Sequence, residues 1–184
     1  HEKRMDEFLS KLKIAMETVV VGDPLLEETD VSALISKKDV ERIEIWVQEA
    51  IKEGATVLYG GKKRDARIFE PTVLTNVPEY VSVQCQEVFG PLMTVNTFKE
   101  FDEAIEQVNH SRYGLQAGVF TNNLFKAMRA IDELEVGGVM INDIPTFRVD
   151  HMPYGGVKES GTGREGIKYA IEEMTEMKLV CIKK

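Results

Sequence analysis

The sequence predicts an α/β layer fold in which helices cover a parallel sheet, and two observations carry this prediction. From residue 98 onward, helix-like and strand-like segments alternate, with connections of only a few residues between them. Such alternation is typical of a parallel sheet covered by helices. The chain of 184 residues, 43% of them hydrophobic, is also long enough to bury a sizeable core. The alternating segments are residues 98–110 (helix), 115–121 (strand), 123–135 (helix) and 137–142 (strand).

An amphipathic helix is predicted at the start of the chain, over residues 1–19. Its apolar residues recur at helical spacing, which places them on one face. They are Met5, Phe8, Leu9, Leu12 and Met16. Because the chain begins at His1, inside this periodic segment, we expect that preceding sequence helps to build the core beneath the helix.

A second helix is predicted over residues 36–54 because both of its ends carry recognisable signals. Ser36 and Asp39 have the spacing of a capping box, in which side chains satisfy free N–H groups of the first turn. Gly54 follows the last apolar position and supplies the usual stop signal. The apolar residues between these ends share one face: Val40, Ile43, Val47, Ala50 and Ile51.

The remaining segments are predicted to be strands, one long loop and a short helix. Residues 56–61, which close with a Gly-Gly turn, and residues 71–77 and 92–98 have strand character. Residues 143–165 contain glycines and two prolines without any period, which indicates a long ordered loop of the kind that carries function. A helix from Arg164 to about Glu173 and a strand over residues 175–184 are predicted to close the chain.

The composition argues against several classes of protein. The net charge of −8 is spread along the chain without an isolated basic cluster, so no nucleic-acid partner is expected. No apolar run is long enough to cross a bilayer, so no membrane partner is expected either. The three histidines, His1, His110 and His151, lie far apart, and no metal site is predicted. With two cysteines and no signal peptide in the sequence, we expect a reducing cytoplasm.

The stretch VQCQEVFGPL, residues 83–92, places Cys85 two positions before Glu87, as a nucleophile and its base would be. A carboxylate close to a thiol disfavours the thiolate, and the local sequence supplies no cation to activate it. We therefore expect no catalytic role for Cys85. Cys181 lies in the apolar C-terminal segment and is expected to behave as a small hydrophobic residue.

Spaced glycines in SGTGREG, residues 160–166, precede the last predicted helix. Free backbone N–H groups at the start of a helix could hold an anion. However, the spacing differs from the glycine fingerprint of a dinucleotide-binding fold, and no strand directly precedes it. A tight turn into the helix is the favoured interpretation, and an anion site is the alternative.

Five motifs resemble the C-terminal part of the NAD(P)-dependent aldehyde dehydrogenase superfamily, and they follow the family's order. They are VGDPLLEETDVSALISKKDVERI, QEVFGP, HSRYGLQAGVFT, GGVMIN and PYGGVKESGTGREG. Residues 150–166 resemble lactaldehyde- and succinate-semialdehyde-dehydrogenase-like members in particular. One departure is VSALI, residues 31–35, where the family usually has Gly-Pro.

The resemblance implies part of a three-layer, parallel-sheet catalytic domain of aldehyde dehydrogenase type. Residues 1–174 would form this partial catalytic domain, and residues 175–184 a C-terminal oligomerisation strand. In the family such a strand pairs with the sheet of another subunit, so a homo-oligomer is expected.

The resemblance also implies roles for individual residues. Glu87 matches the glutamate that hydrogen-bonds the nicotinamide ribose of NAD or NADP, and Phe89 matches the aromatic residue that packs beside it. A carboxylate can accept hydrogen bonds from two ribose hydroxyls, and a phenyl ring limits where the nicotinamide lies. Gly90 and Pro91 would shape the turn that carries both side chains.

A second set of residues matches the border of the family's substrate tunnel. Asn142 matches the end of a strand there, and Phe147 matches the aromatic residue of the following loop. Arg148 and His151 are expected to recognise the acidic group of an aldehyde substrate.

The family's mechanism implies what the parent enzyme does, the parent being the complete enzyme that carries this chain. A cysteine thiolate attacks the aldehyde to give a thiohemiacetal, hydride passes to NAD or NADP, and water activated by a glutamate hydrolyses the thioester. In the family the nucleophile, the base and the Rossmann-type cofactor domain precede the opening helix, so no catalytic residue is assigned within these 184 residues.

Two functions are compatible with the sequence. In the first, the parent oxidises a small aldehyde to the carboxylic acid, and this chain alone is inactive. In the second, the chain is a non-catalytic interaction module on an aldehyde-dehydrogenase-derived scaffold, with the terminal strand as its docking element.

Overall fold

Helix α2 (Lys37–Lys52) forms the centre of the first of two units in the computed structural model, which describes residues 1–184. The units comprise residues 1–99 and 100–184. Ser36 caps the helix by accepting a hydrogen bond from the Asp39 N–H at 3.3 Å, and the chain turns away at Gly54, whose φ is +107°. Both predicted end signals are therefore confirmed. Val40, Ile43, Val47 and Ala50 of α2 are completely buried.

The other elements of the first unit surround this helix. A 3-10 turn (Glu2–Arg4) and α1 (Met5–Glu17) come first, as the apolar period predicts. Strands β1 (Thr56–Tyr59), β2 (Thr72–Thr75) and β3 (Leu92–Val95) follow α2, with a one-turn helix α3 (Ser82–Cys85) before β3. The core joins the buried face of α2 to Phe69, Leu74, Val77, Val81 and Val83.

The three strands form a mixed sheet in the order β1-β2-β3. Strands β2 and β3 are parallel, with Thr72 opposite Leu92. Strand β1 runs antiparallel to β2, which departs from a purely parallel sheet. The physical reason is that Gly60 and Gly61 both adopt positive φ and reverse the chain, an antiparallel bridge between Lys63 and Phe69 continues the hairpin, and no crossover helix lies between the two strands.

The second unit contains α4 (Phe101–Asn109), β4 (Tyr113–Gly114), β5 (Gln116–Val119), α5 (Leu124–Glu133), β6 (Gly138–Ile141), β7 (Val157–Lys158) and α6 (Ile167–Met174). Strands β5 and β6 are parallel, with α5 as their crossover helix, so the predicted βαβ arrangement is confirmed. Strands β4 and β7 form a separate antiparallel pair. Ile105, Ala130 and Leu134 form the core of this unit.

Two glycine backbones approach each other closely at the start of β6. A Cβ atom added at Gly137 would lie 1.7 Å from the carbonyl oxygen of Gly155 and 3.0 Å from that of Leu115. Only a residue without a side chain fits at position 137. This contact holds the middle of the predicted long loop, residues 143–165, against the start of the strand.

Residues 175–184 form no strand within this single chain. Their apolar side chains are exposed: Met177 by 101%, Leu179 by 93%, Val180 by 69% and Ile182 by 85%. The oligomerisation strand therefore stays a prediction. No helix in the structure combines the length and the apolar character needed to cross a bilayer.

Candidate functional site

A cleft of about 500 Å³ opens in the first unit beside the N-terminal half of α2. Its lining combines two carboxylates, one guanidinium group and three apolar side chains. They are Asp39, Glu87, Arg42, Ile35, Trp46 and Phe89. Glu87 and Phe89, the two residues predicted to hold the cofactor, thus line the same cleft.

The turn that carries Glu87 and Phe89 has an unusual backbone. Phe89 adopts a φ of +46°, in the left-handed region, which costs a residue with a side chain about 1–3 kcal/mol. Gly90 follows it at a close contact, because a Cβ atom there would lie 2.2 Å from Cδ1 of the buried Ile43. The Pro91 carbonyl then accepts from the Thr72 N–H at 2.8 Å, which ties the turn to the start of β2.

This backbone directs two side chains outward. Phe89 is 74% exposed, so its ring is available to a ligand. Glu87 is also exposed, and its carboxylate forms no hydrogen bond or ion pair within the chain. An unpaired carboxylate beside an exposed ring can bind a ligand that offers hydroxyl donors and a flat face.

Arg42, the neighbour of Ile43 on α2, also contacts this turn. Its Nη2 donates to the carbonyl oxygen of Val88 at 2.8 Å and lies 3.3 Å from Oδ1 of Asp39. The guanidinium carbon lies 4.6 Å from the centre of the Trp46 ring, one helical turn along α2. The Arg42 side chain is only 28% exposed, so these contacts are shielded from water.

Asp39 is kept ionised by its neighbours. The Ser36 hydroxyl donates to Oδ2 at 2.6 Å, and this bond, together with the hydrogen bond from Arg42, lowers the pKa of the Asp39 carboxyl below its ordinary value. The charged form is favoured because both partners donate to it. An anion at this position keeps Arg42 in place.

The predicted substrate residues lie in the second unit, on the loop after β6. Phe147 is 50% exposed, and His151 is exposed and forms no hydrogen bond or ion pair within the chain. Arg148 is already engaged, since its Nη2 donates to Oε2 of Glu165 at 2.8 Å and its guanidinium stacks 4.2 Å from the Tyr154 ring centre. Of the two basic residues, Arg148 has an ionic partner in the chain and His151 has none.

Asn142 directly follows β6, and both its side chain and its N–H bind backbone groups. It adopts a φ of +58°, and its Oδ1 accepts from the Thr121 N–H at 2.8 Å. Its own N–H donates to the Val119 carbonyl at 2.8 Å. These bonds join the carboxyl ends of β5 and β6, from which the loop with Phe147 departs.

Cys85 lies at the end of the one-turn helix α3 and is half-buried. Its Sγ lies 3.6 Å from the Tyr80 carbonyl oxygen, and no side-chain base contacts it. Cys181 is exposed. No arrangement of the nucleophile-and-base type therefore forms at Cys85.

The glycine-spaced segment 160–166 satisfies its backbone with the chain's own side chains. Glu173 Oε1 accepts from the Arg164 N–H at 3.3 Å and lies 2.8 Å from where a Cβ of Gly163 would be. Arg164 Nη1 donates to the carbonyls of Gly156 and Gly163. The geometry is that of a turn closed by internal bonds.

Four lining residues were missed by reasoning from the sequence: Ile35, Asp39, Arg42 and Trp46. Asp39 was assigned a capping role, which it has, and Arg42 resembles any charged residue on a helix surface. The available signal was the spacing of Arg42 and Trp46, which are four residues apart and adjacent to the buried face of α2.

Comparison with known proteins gives consistent matches over nearly the whole chain. The sequence profile described as the aldehyde dehydrogenase family matches residues 1–180. A 3-sulfolactaldehyde dehydrogenase of Priestia aryabhattai is 52% identical over 182 residues, which are 99% of this chain and 38% of the relative. A lactaldehyde dehydrogenase of Methanococcus maripaludis is 45% identical, over 98% of this chain and 38% of the relative.

Solved structures agree in fold. Aldehyde dehydrogenase 21 of Physcomitrella patens, in complex with the reaction product succinate, has a TM-score of 0.92 at 41% identity, covering 96% of this chain and 36% of that one. The glyceraldehyde-3-phosphate dehydrogenase GapN of Methanocaldococcus jannaschii, complexed with NADP, has a TM-score of 0.91 at 42% identity, covering 100% and 40%. The chain thus spans less than half the length of the proteins it matches.

Proposed function

The chain belongs to the aldehyde dehydrogenase family, and from this premise we propose that its first unit positions the nicotinamide ribose of NAD or NADP in an enzyme that oxidises a small aldehyde to the carboxylic acid. The observation that carries the proposal is the pair of Glu87 and Phe89 at one cleft, both exposed and presented by one strained turn. The solved relative complexed with NADP supports the choice of cofactor class.

The residues at the cleft fit such a group. Glu87 has a carboxylate without a partner in the chain, and it can accept hydrogen bonds from two neighbouring hydroxyls of a ribose. Phe89 exposes most of its ring, and it can restrict the flat nicotinamide to one orientation. When bound, NAD or NADP supplies the hydride acceptor of the oxidation.

The second unit would contribute to substrate binding through Phe147, Arg148 and His151. Phe147 offers an apolar wall, and His151 offers a donor to an acidic group. Arg148 would act mainly through Glu165 and Tyr154, which hold it in the loop. The names of the relatives point to short aldehydes of the lactaldehyde type, with 3-sulfolactaldehyde and lactaldehyde as first compounds to test.

Cys85 takes no part in the proposed function. Covalent catalysis needs an activated nucleophile beside a base, and Cys85 contacts only a backbone carbonyl. We therefore expect the 184-residue chain alone to produce no NADH or NADPH from lactaldehyde, measured by absorbance at about 340 nm, a wavelength at which the reduced cofactor is detected.

The test is Glu87→Gln in the complete parent enzyme. Glutamine keeps the size of the side chain but loses its charge and one acceptor oxygen, so we expect single-turnover hydride transfer to fall roughly 10- to 100-fold. The matched control is Cys85→Ser on the same segment, which should retain the wild-type rate. Equal hydride-transfer rates for Glu87→Gln and wild type, or loss of activity in Cys85→Ser, would overturn the proposal.

A further inference from the structure

We propose that Arg42 is a positioning residue for the cofactor clamp: it holds the peptide between Val88 and Phe89 and thereby stabilises the turn that directs the side chains of Glu87 and Phe89. This inference rests on the proposed function of Glu87 and Phe89. It adds a residue from a different segment of the chain, 46 positions away from the carbonyl that it binds.

Arg42 binds the backbone of the clamp directly. Its Nη2 donates at 2.8 Å to the carbonyl oxygen of Val88, and this carbonyl belongs to the same peptide unit as the Phe89 N–H. Holding the plane of that peptide restrains ψ of Val88 and φ of Phe89, because a peptide unit rotates as one rigid group. Phe89 adjoins this peptide directly, and Glu87 precedes it by one residue, so the bond acts on the turn that carries both side chains.

The turn that Arg42 binds is strained. Phe89 adopts a φ of +46°, and such a conformation persists only where the surrounding structure holds it. The contact between Gly90 and Ile43 holds the C-terminal side of Phe89. The bond from Arg42 holds the N-terminal side, and both contacts come from neighbouring positions on α2.

Arg42 is itself held in place by its neighbours. Asp39 lies 3.3 Å from Nη2, the Ser36 hydroxyl fixes Asp39 at 2.6 Å, and the Trp46 ring lies under the guanidinium at 4.6 Å. An arginine that only projects into solvent would not be held by an ion pair and a ring contact. The contacts form a continuous path from the cap of α2 to the turn of the clamp.

Arginine suits this role better than lysine. Its planar fork can donate to a carbonyl, pair with a carboxylate and stack on an aromatic ring simultaneously, whereas an ammonium group acts as a point charge. Arg42→Lys should therefore restore only part of the function lost in Arg42→Met, even though it restores the full charge.

The experiment is a double-mutant cycle in the parent enzyme, with Arg42→Met, Glu87→Gln and the double variant. We expect Arg42→Met to raise the KM for NAD or NADP and to slow single-turnover hydride transfer by roughly 10- to 100-fold. In the Glu87→Gln background, Arg42→Met should slow hydride transfer less than about threefold further, because the effects of mutations that act on one structural element are not additive. Arg42→Lys should lie between Arg42→Met and wild type.

Arg64→Met is the matched control, since Arg64 also donates to a backbone carbonyl, that of Val21 at 3.3 Å, but outside the cleft. It should leave hydride transfer unchanged. Melting temperatures identify folded variants, and if Arg42→Met does not fold, Arg42→Lys in the same cycle decides the question.

The outcomes separate the two proposals. If Glu87→Gln has no effect, the proposed function fails. If Glu87→Gln slows hydride transfer but Arg42→Met and Arg42→Lys do not, or if their effects add fully to that of Glu87→Gln, the role of Arg42 as a positioning residue is wrong while the proposed function stands.

Discussion

Asn96 and Val77 form two hydrogen bonds with each other. The Val77 N–H donates to Oδ1 of Asn96 at 2.9 Å, and Nδ2 of Asn96 donates to the Val77 carbonyl at 2.9 Å. Val77 lies two residues beyond the end of β2, and Asn96 directly follows β3. The side-chain amide thus satisfies both backbone groups of a buried residue where the regular ladder of the parallel pair has ended.

Removing this amide should destabilise the first unit. In Asn96→Ala the N–H and C=O groups of Val77, a residue only 4% exposed, lose their partners, which we expect to cost about 1–3 kcal/mol in the free energy of unfolding. Urea denaturation followed by circular dichroism measures this change. Gln84→Ala, at an exposed side chain of the same unit, should stay within about 0.5 kcal/mol of wild type. A loss in Asn96→Ala no larger than in the control would contradict the proposed role of the amide.

The stability of the chain should depend on pH through Asp39. Hydrogen bonds from Ser36 and Arg42 lower the pKa of this carboxyl in the folded state below its ordinary value of 3.8. A group with a lowered folded pKa stabilises the fold above its unfolded pKa and loses that contribution as the pH falls through the folded pKa. We therefore expect wild type to exceed Asp39→Asn in stability at neutral pH, by a margin that shrinks below about pH 4.

Urea midpoints of wild type and Asp39→Asn between neutral and strongly acidic pH measure this margin. Other carboxyls with a lowered pKa, Glu7 and Glu133, are present in both proteins, so their contributions cancel in the difference. A margin that stays constant into strong acid would show that the Asp39 charge does not stabilise the fold.

The C-terminal segment should drive self-association. Residues 175–184 extend from α6 with Met177, Leu179, Val180 and Ile182 exposed and with no strand partner in the chain. Unpaired backbone with apolar side chains favours addition to another sheet, so light scattering should detect a dimer or larger species. Leu179→Pro removes one backbone donor and should shift the mass toward monomer, whereas Leu179→Val should not. A wild-type chain that is monomeric at high concentration would refute this prediction.

Local signals made much of the fold predictable. Helix α2 was predicted with both ends because Ser36 and Gly54 act on their immediate neighbours. The pair of β4 and β7 was not predicted, since Tyr113 meets Lys158 across a long separation in sequence and each strand has only two residues. The one-turn helix α3 is too short to show a period. The antiparallel pairing of β1 with β2 was not predicted either. The apolar pattern of a strand does not indicate its direction, which here depends on the path of the chain after Gly61.

The candidate site divides in the same way. The motif QEVFGP identified Glu87 and Phe89, and both line the cleft. Arg42 could not be assigned from its own surroundings, because its partner carbonyl at Val88 becomes a neighbour only in the folded chain. The roles expected for Phe147, Arg148 and His151 stay predictions, although the ion pair of Arg148 with Glu165 was not expected.

The contact between Gly137 and Gly155 limits which substitutions this part of the chain can accept. Position 137 admits no side chain, because the first added carbon would overlap a backbone oxygen that cannot move aside alone. At the adjacent Gly138 the nearest atoms are the flexible ends of Gln116 and Met140, at 3.3 and 3.4 Å, so alanine can be accommodated there with small adjustments. Two consecutive glycines in the sequence therefore restrict substitution unequally, since position 137 excludes a side chain and position 138 can accept a small one.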